Sequence, residues 1–201
     1  MKASEILIEG KSHPVICIDV QPEYANFKNN FRLCSKIVNF VCRQTGPVLM
    51  FVNAEQDGLT NDTVSDIKQW WEETYGEYDD DSQTSNINWS RFTIVDKGYG
   101  FFRNYMDAGV PDSTIIKMIR TLYQRKLHDA RDLSEDEYEN IMGNSDLKDE
   151  AFFINWTSVA QLKQFSGAYI VGGARRECLR EVQLLMNAFN IRYIEIQELI
   201  Y

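Results

Sequence analysis

Residues Ala168–Phe189 read AYIVGGARRECLREVQLLMNAF. The run opens on Ala168–Val171, a short apolar stretch with the composition of a buried strand. Gly172 and Gly173 then break it. Beyond Cys178, Val182, Leu185 and Phe189 recur on one helical face. The whole therefore reads as a strand, a two-glycine turn and an amphipathic helix. That helix carries Cys178 in its first turn, where unsatisfied amide N–H groups and the positive end of the macrodipole favour a thiolate. The same turn offers backbone donors to an oxyanion. A cysteine that merely packs beneath a sheet fits these residues too, since free cysteine is among the most buried residue types. The decision rests on which other side chains reach Cys178.

The strand-then-helix unit recurs along the chain. Pro14–Val20 (PVICIDV), Pro47–Asn53 (PVLMFVN) and Arg91–Asp96 (RFTIVD) are short, β-branched-rich apolar runs. Glu150–Asn155 and Ile191–Ile196 complete a set of predicted strands with Ala168–Val171. Between them, Cys34, Ile37, Val38 and Val41 mark a core-facing helix over Asn30–Arg43. A second helix starts at Asp62 or Thr63 and carries Ile67, Trp70, Trp71 and Thr74 on one face, a spacing more typical of core than of a binding surface. Asp112 or Ser113 caps a third over Asp112–Lys126, Ser134 and Glu137 form a capping box, and Thr157–Phe165 is helical. Alternation of this kind predicts an α/β fold on a mostly parallel sheet. No repeat or linker interrupts it, so residues 1–201 read as a single domain, with acidic excursions near 76–88 and 133–150.

A net charge of −9 argues against a nucleic-acid or anionic-membrane surface. The opening MKASEILIEG has no apolar run of signal-peptide length, and nothing resembles a membrane span. Cys17, Cys34, Cys42 and Cys178 are therefore expected as free thiols in a reducing, cytoplasmic setting. His13 and His128 are the only histidines, too few for an imidazole-rich metal site or a histidine-based triad. His128–Asp132 reads as a local ion-pair network. GGARRE does not fit GxGxxG and no GxxxxGK[ST] occurs, so no nucleotide cofactor is expected.

Asp19, Lys97 and Cys178 each stand just beyond a predicted strand, where parallel sheets gather their ligand sites. Taken singly, Asp19 is equally a turn or cap aspartate, and Lys97 is more readily a surface lysine than a buried one. Taken together they make chemical sense. A thiol of pKa ~8.5 needs a base or a cation to ionise near neutrality. Asp19 supplies the base and Lys97 the cation. Tyr99, Phe101 and Phe102 are placed to wall an apolar pocket, with Tyr24 and Phe27 as further candidates and core packing as the competing role. Arg175 or Arg176 is suited to a substrate carboxylate, or is simply a surface arginine.

Ile18-Asp19-Val20-Gln21, Asp96-Lys97 followed by Gly98–Phe102, and Val171–Leu179 occur in an order and spacing that resembles the isochorismatase-like cysteine hydrolases. That superfamily includes nicotinamidases and N-carbamoyl amidohydrolases, and the resemblance spans nearly the whole chain. It implies a three-layer αβα fold on a six-stranded sheet and an Asp–Lys–Cys triad at Asp19, Lys97 and Cys178. It also implies a cis peptide at Gly173–Ala174, an oxyanion hole from the N–H groups near Ala174 and Cys178, and a substrate pocket that includes Gln21. Homodimers or homotetramers are common among such proteins. Two features depart from the pattern. Arg175 stands where many members have threonine, and Ala54–Asp62 lacks the histidines of the metal-binding members, so no metal is expected. The expected activity is hydrolysis of a small amide, carbamoyl or related molecule through a thioester. The alternative is an inactive binding or scaffold protein on the same fold.

Overall fold

The computed structural model describes residues 12–27, 30–53, 62–77, 86–96, 101–143 and 146–201; of residues 26, 27, 76 and 77 it describes the backbone alone. The β-branched runs become strands β1 (Val15–Ile18), β2 (Val48–Val52), β3 (Phe92–Asp96), β4 (Ala168–Gly172) and β5 (Tyr193–Glu195). Every pairing is parallel, and the order is β3-β2-β1-β4-β5. Residues of β1, β2 and β4 are buried throughout, as a sheet covered on both faces demands.

Successive side chains on a strand point to opposite faces, and the core divides accordingly. Ile16, Ile18, Leu49, Phe51 and Ile170 face one cluster. It is closed by α4 (Arg103–Asp107), α5 (Asp112–Arg125), α6 (Glu135–Met142), α7 (Trp156–Gln164) and α8 (Cys178–Ala188). Val15, Cys17, Val48, Met50, Val52 and Val171 face the other, which holds α2 (Phe31–Arg43) and α3 (Val64–Glu77). The remaining helix, α1 (Pro22–Phe27), follows β1 directly. Cys34, Ile37, Val38 and Val41 are fully buried on α2, as their spacing predicts. Trp71 is also core, and its Nε1 donates to Val20 O at 2.8 Å. Thr63 and Asp66 cap α3 reciprocally, and Ser134 and Glu137 form the expected capping box on α6. Before α5, however, Pro111 occupies the cap position and Asp112 is already helical.

The described residues form five strands, not six. Glu150–Asn155 contributes only an antiparallel bridge between Phe153 and Asp129. Its alternation is strand-like, with Phe152 and Ile154 buried and Phe153 45% exposed. Its backbone is nonetheless satisfied by loops. Ala130 N–H donates to Phe152 O (3.1 Å), Phe153 N–H to Phe101 O (2.7 Å) and Ile154 N–H to His128 O (2.7 Å). With its hydrogen-bonding groups consumed there, the segment does not join the sheet.

The acidic stretch from 133 to 150 is built into the fold. Tyr138 is buried, and the Tyr105 hydroxyl lies 3.2 Å from that of Tyr138 and donates to Leu147 O at 2.8 Å. Glu137 pairs with Arg125, and Lys148 with Glu135. The other excursion, 76–88, lies largely outside the described residues. The expected ion pairing near His128 is present, with Asp129 held by Arg131 at 2.6 Å. No described helix is long and apolar enough to cross a membrane.

Candidate active site

The chain leaves β1 for β2 and β3 on one side, then returns to the other side of β1 as β4. The gap between the carboxyl ends of β1 and β4 is therefore the topological switch point, where open α/β sheets bind ligands. Asp19 stands at one rim. Ile18 pairs with Phe51 and Gly172, and Asp19 N–H donates to Phe51 O at 2.9 Å. At Asp19 the backbone turns into the left-handed region (φ 52°), with the residue only 1% exposed. That conformation costs a residue with a Cβ about 1 kcal/mol or more. A buried, strained carboxylate at a switch point is the kind of outlier that marks a functional position.

The opposite rim is the two-glycine turn. A Cβ on Gly172 would lie inside van der Waals contact of Ile18 O and 2.7 Å from Val20 Cγ2. Only glycine lets β4 pass so close to β1 here. Gly173 follows at φ 70°, again a conformation that favours glycine. No cis peptide occurs among the described residues, so the Gly173–Ala174 bond is trans, contrary to the expectation from the resemblance. The two successive left-handed glycines reverse the chain instead.

Cys178 is the first residue of α8 and is half-buried. Glu177 precedes it at the cap position and gives the helix no side-chain cap. Ala174 O accepts from Glu177 N–H (2.9 Å) and Leu179 N–H (3.2 Å), which curls the turn beneath Cys178. Burial raises the Cys17 thiol well above its ordinary value. It pushes Cys34 and Cys42 up to about 12. None of the four is in a disulfide.

Lys97 lies outside the described residues, as do Gly98, Tyr99 and Gly100. The chain on either side is fixed. Asp96 pairs with Val52 at the end of β3. Phe101 and Phe102 donate their backbone N–H groups to Glu181 Oε1 at 2.9 and 3.0 Å. Glu181 is buried and lies one helical turn beyond Cys178, so the helix bearing the thiol also anchors the residues that follow this segment. Arg103, at 3.5 Å from Glu177, makes a second tie of the same kind.

The remaining candidates divide. Gln21 is fully buried and clamps β1 to β2: Nε2 donates to Asn53 O (2.9 Å) and Oε1 accepts from Asn53 N–H (3.0 Å). The same Nε2 lies 3.3 Å from Asp62, which also accepts from Glu23 N–H at 3.1 Å. The Tyr24 hydroxyl accepts from Asn53 Nδ2 at 2.7 Å, so it sits at these strand ends. Phe101 and Phe102 are buried in the core, Phe102 stacked on Phe152 at 4.9 Å. Arg175 is exposed, and its guanidinium is engaged by Gln197 O (3.1 Å) and Glu195 (3.6 Å). The side chain of Phe27 lies outside the described residues.

Three residues at the site escape the sequence reading: Asn53, Glu181 and Tyr201. Glu181 carried a signal, a charge on the apolar side of an amphipathic helix. Asn53 and Tyr201 carried none. The Tyr201 hydroxyl donates to Asp19 O. Burial first, and the neighbouring Asp19 second, hold its phenol well above the ordinary tyrosine value, so it is a neutral donor. Among the described residues no group of three or more His, Cys, Asp and Glu is arranged to hold a metal ion. Searches against protein-family models, curated proteins and solved structures return no match to this chain.

Proposed function

We propose that this chain is a cysteine hydrolase of small amides or carbamoyl compounds, working as the isochorismatase-like hydrolases do. The observation that carries the reading is the left-handed, buried Asp19 just beyond β1, set across the switch point from the turn that launches Cys178. Asp19 takes the proton from Cys178 Sγ, and the thiolate adds to the substrate carbonyl. The N–H groups of Ala174 and Cys178, with the α8 dipole, hold the oxyanion, and Lys97 stabilises the ionised thiol. Collapse breaks the C–N bond, and Asp19 returns its proton to the leaving amine. Asp19 then deprotonates a water that attacks the thioester, and Cys178 leaves as thiolate.

The reading is tested with a panel of small amide and carbamoyl substrates, with Cys178→Ser as control. A thiol assay complements it. Near pH 7 a haloacetamide is expected to alkylate Cys178 well ahead of Cys17, Cys34 and Cys42, whose raised thiol values leave almost no thiolate. Lys97→Ala is expected to slow that alkylation. Equal modification of all four cysteines would exclude an activated thiol.

A further inference from the structure

The proposed chemistry leaves Tyr201 without a part, although it touches both rims of the site. Its hydroxyl donates to Asp19 O and lies 3.4 Å from Ile18 O. The Gly173 backbone amide faces the same phenol oxygen. The main-chain carbonyl of Tyr201 accepts from Arg175 N–H at 3.1 Å, inside the turn that leads to Cys178. Arg175 reinforces the arrangement by reaching back to Gln197 O at 3.1 Å and Glu195 at 3.6 Å. A single residue therefore bonds to the strained backbone that aims Asp19 and to the loop that aims Cys178.

We propose that Tyr201 is a positioning residue that fixes Asp19 relative to Cys178; this rests on the cysteine-hydrolase reading. A left-handed aspartate persists only where its surroundings over-determine it. The Tyr201 hydroxyl supplies one of those determinants by satisfying the Asp19 carbonyl. Proton transfer between Cys178 and Asp19 requires the pair to stand within hydrogen-bond reach, so relaxation of Asp19 costs thiolate at Cys178 without removing any group that reacts.

The test is Tyr201→Phe, which removes one oxygen and keeps the ring packed against its face of the core. Cys178 alkylation by iodoacetamide is followed by mass spectrometry from pH 5.5 to 9.5, with the unfolding midpoint measured in parallel. The expected result is about a tenfold slower reaction at pH 7, with the midpoint of the pH profile moved toward that of an ordinary thiol, ~8.5. Placing 4-aminophenylalanine at position 201 restores a donor and is expected to restore most of the rate. An unchanged profile in Tyr201→Phe overturns the proposal, even if stability falls, because a purely structural role moves the unfolding midpoint and not the profile. So does a 4-aminophenylalanine variant that behaves like phenylalanine. If wild-type Cys178 itself titrates as an ordinary thiol, the hydrolase reading fails first and the proposal falls with it.

Discussion

Glu181→Ala should be among the most damaging single changes available outside the proposed reacting groups. In the native chain one carboxylate oxygen accepts from Phe101 N–H at 2.9 Å and Phe102 N–H at 3.0 Å. Both phenylalanines are buried, as is Glu181, so water does not readily take over the bonds. Each buried donor left unsatisfied costs about 1–3 kcal/mol, and two of them give a loss of about 2–6 kcal/mol. The gain in helix propensity from alanine is a few tenths and does not change the sign. Glu181→Gln keeps an oxygen at the accepting position and gives up only the charge, so it should lose less than half as much. The assay is urea unfolding followed by far-UV circular dichroism, with both variants beside wild type. An alanine variant within about 0.5 kcal/mol of wild type, the scatter of ordinary surface substitutions, would mean that the two amides find other partners without Glu181. Equal losses for alanine and glutamine would instead place the cost in the charge and not in the two amides.

Two further outcomes follow from the same geometry. Gly172→Ala puts a Cβ against Ile18 O and 2.7 Å from Val20 Cγ2, at a φ of 73°. It should cost about 2 kcal/mol or more in thermal unfolding, and an unchanged midpoint would mean that β1 and β4 do not approach so closely. Stability should also fall on the alkaline side. Burial raises Cys34 and Cys42 from 9.0 to about 12, so the unfolded chain releases protons that the folded chain keeps. The stability tied to these thiols is whole below about pH 9 and is lost as pH rises from there through about 12. Urea midpoints between pH 8 and 10.5 should decline, less steeply in Cys34→Ala, and a slope unaltered by that substitution would remove Cys34 as a cause.

The parts of this structure written in local pattern were the parts legible in the sequence. β1, β2 and β4 announce themselves because strands buried on both faces need uninterrupted apolar runs, and α2 because its buried residues recur every three or four positions. Glu150–Asn155 misleads for an instructive reason. Its alternating burial is that of a strand, but its hydrogen bonds go to Phe101, His128 and Ala130, and hydrogen-bond partners leave no mark on side-chain pattern. Asp19 and Cys178 were visible because each ends or begins a recognisable element. Tyr201 was not, because its partner Asp19 is 182 positions away and a tyrosine near a short apolar segment looks like any other. Arg175 had the chemistry for a substrate carboxylate, and the fold supplies it with Glu195 and Gln197 O instead. Phe101 and Phe102 fit a pocket wall as readily as a core, and only packing in the cluster that also holds Phe152 decides where their rings lie.

Asp19 offers the sharpest way to separate chemistry from architecture, because two substitutions pull the two roles apart. At φ 52° the native residue carries left-handed strain, and with 1% exposure it also buries a carboxyl group. Glycine adopts that φ freely, so Asp19→Gly relieves about 1 kcal/mol of strain while it removes the carboxyl group. Asparagine keeps the shape and some hydrogen bonding and tolerates left-handed backbone, but it cannot take a proton from a thiol. If Asp19 is kept for catalysis, both variants should fold, Asp19→Gly should be no less stable than wild type, and both should lose the enhanced alkylation of Cys178 at pH 7. If the carboxyl group is instead a structural contact, glycine strips away its partners. The unfolding midpoint then drops by more than the relieved strain returns, while Cys178 reactivity follows stability and not the identity of residue 19. A stable, unreactive Asp19→Gly is what a strained active site predicts, since a fold selected for stability alone would already have placed glycine there. An Asp19→Gly variant that loses more than about 2 kcal/mol and keeps a fast Cys178 would refute the catalytic assignment of Asp19 outright.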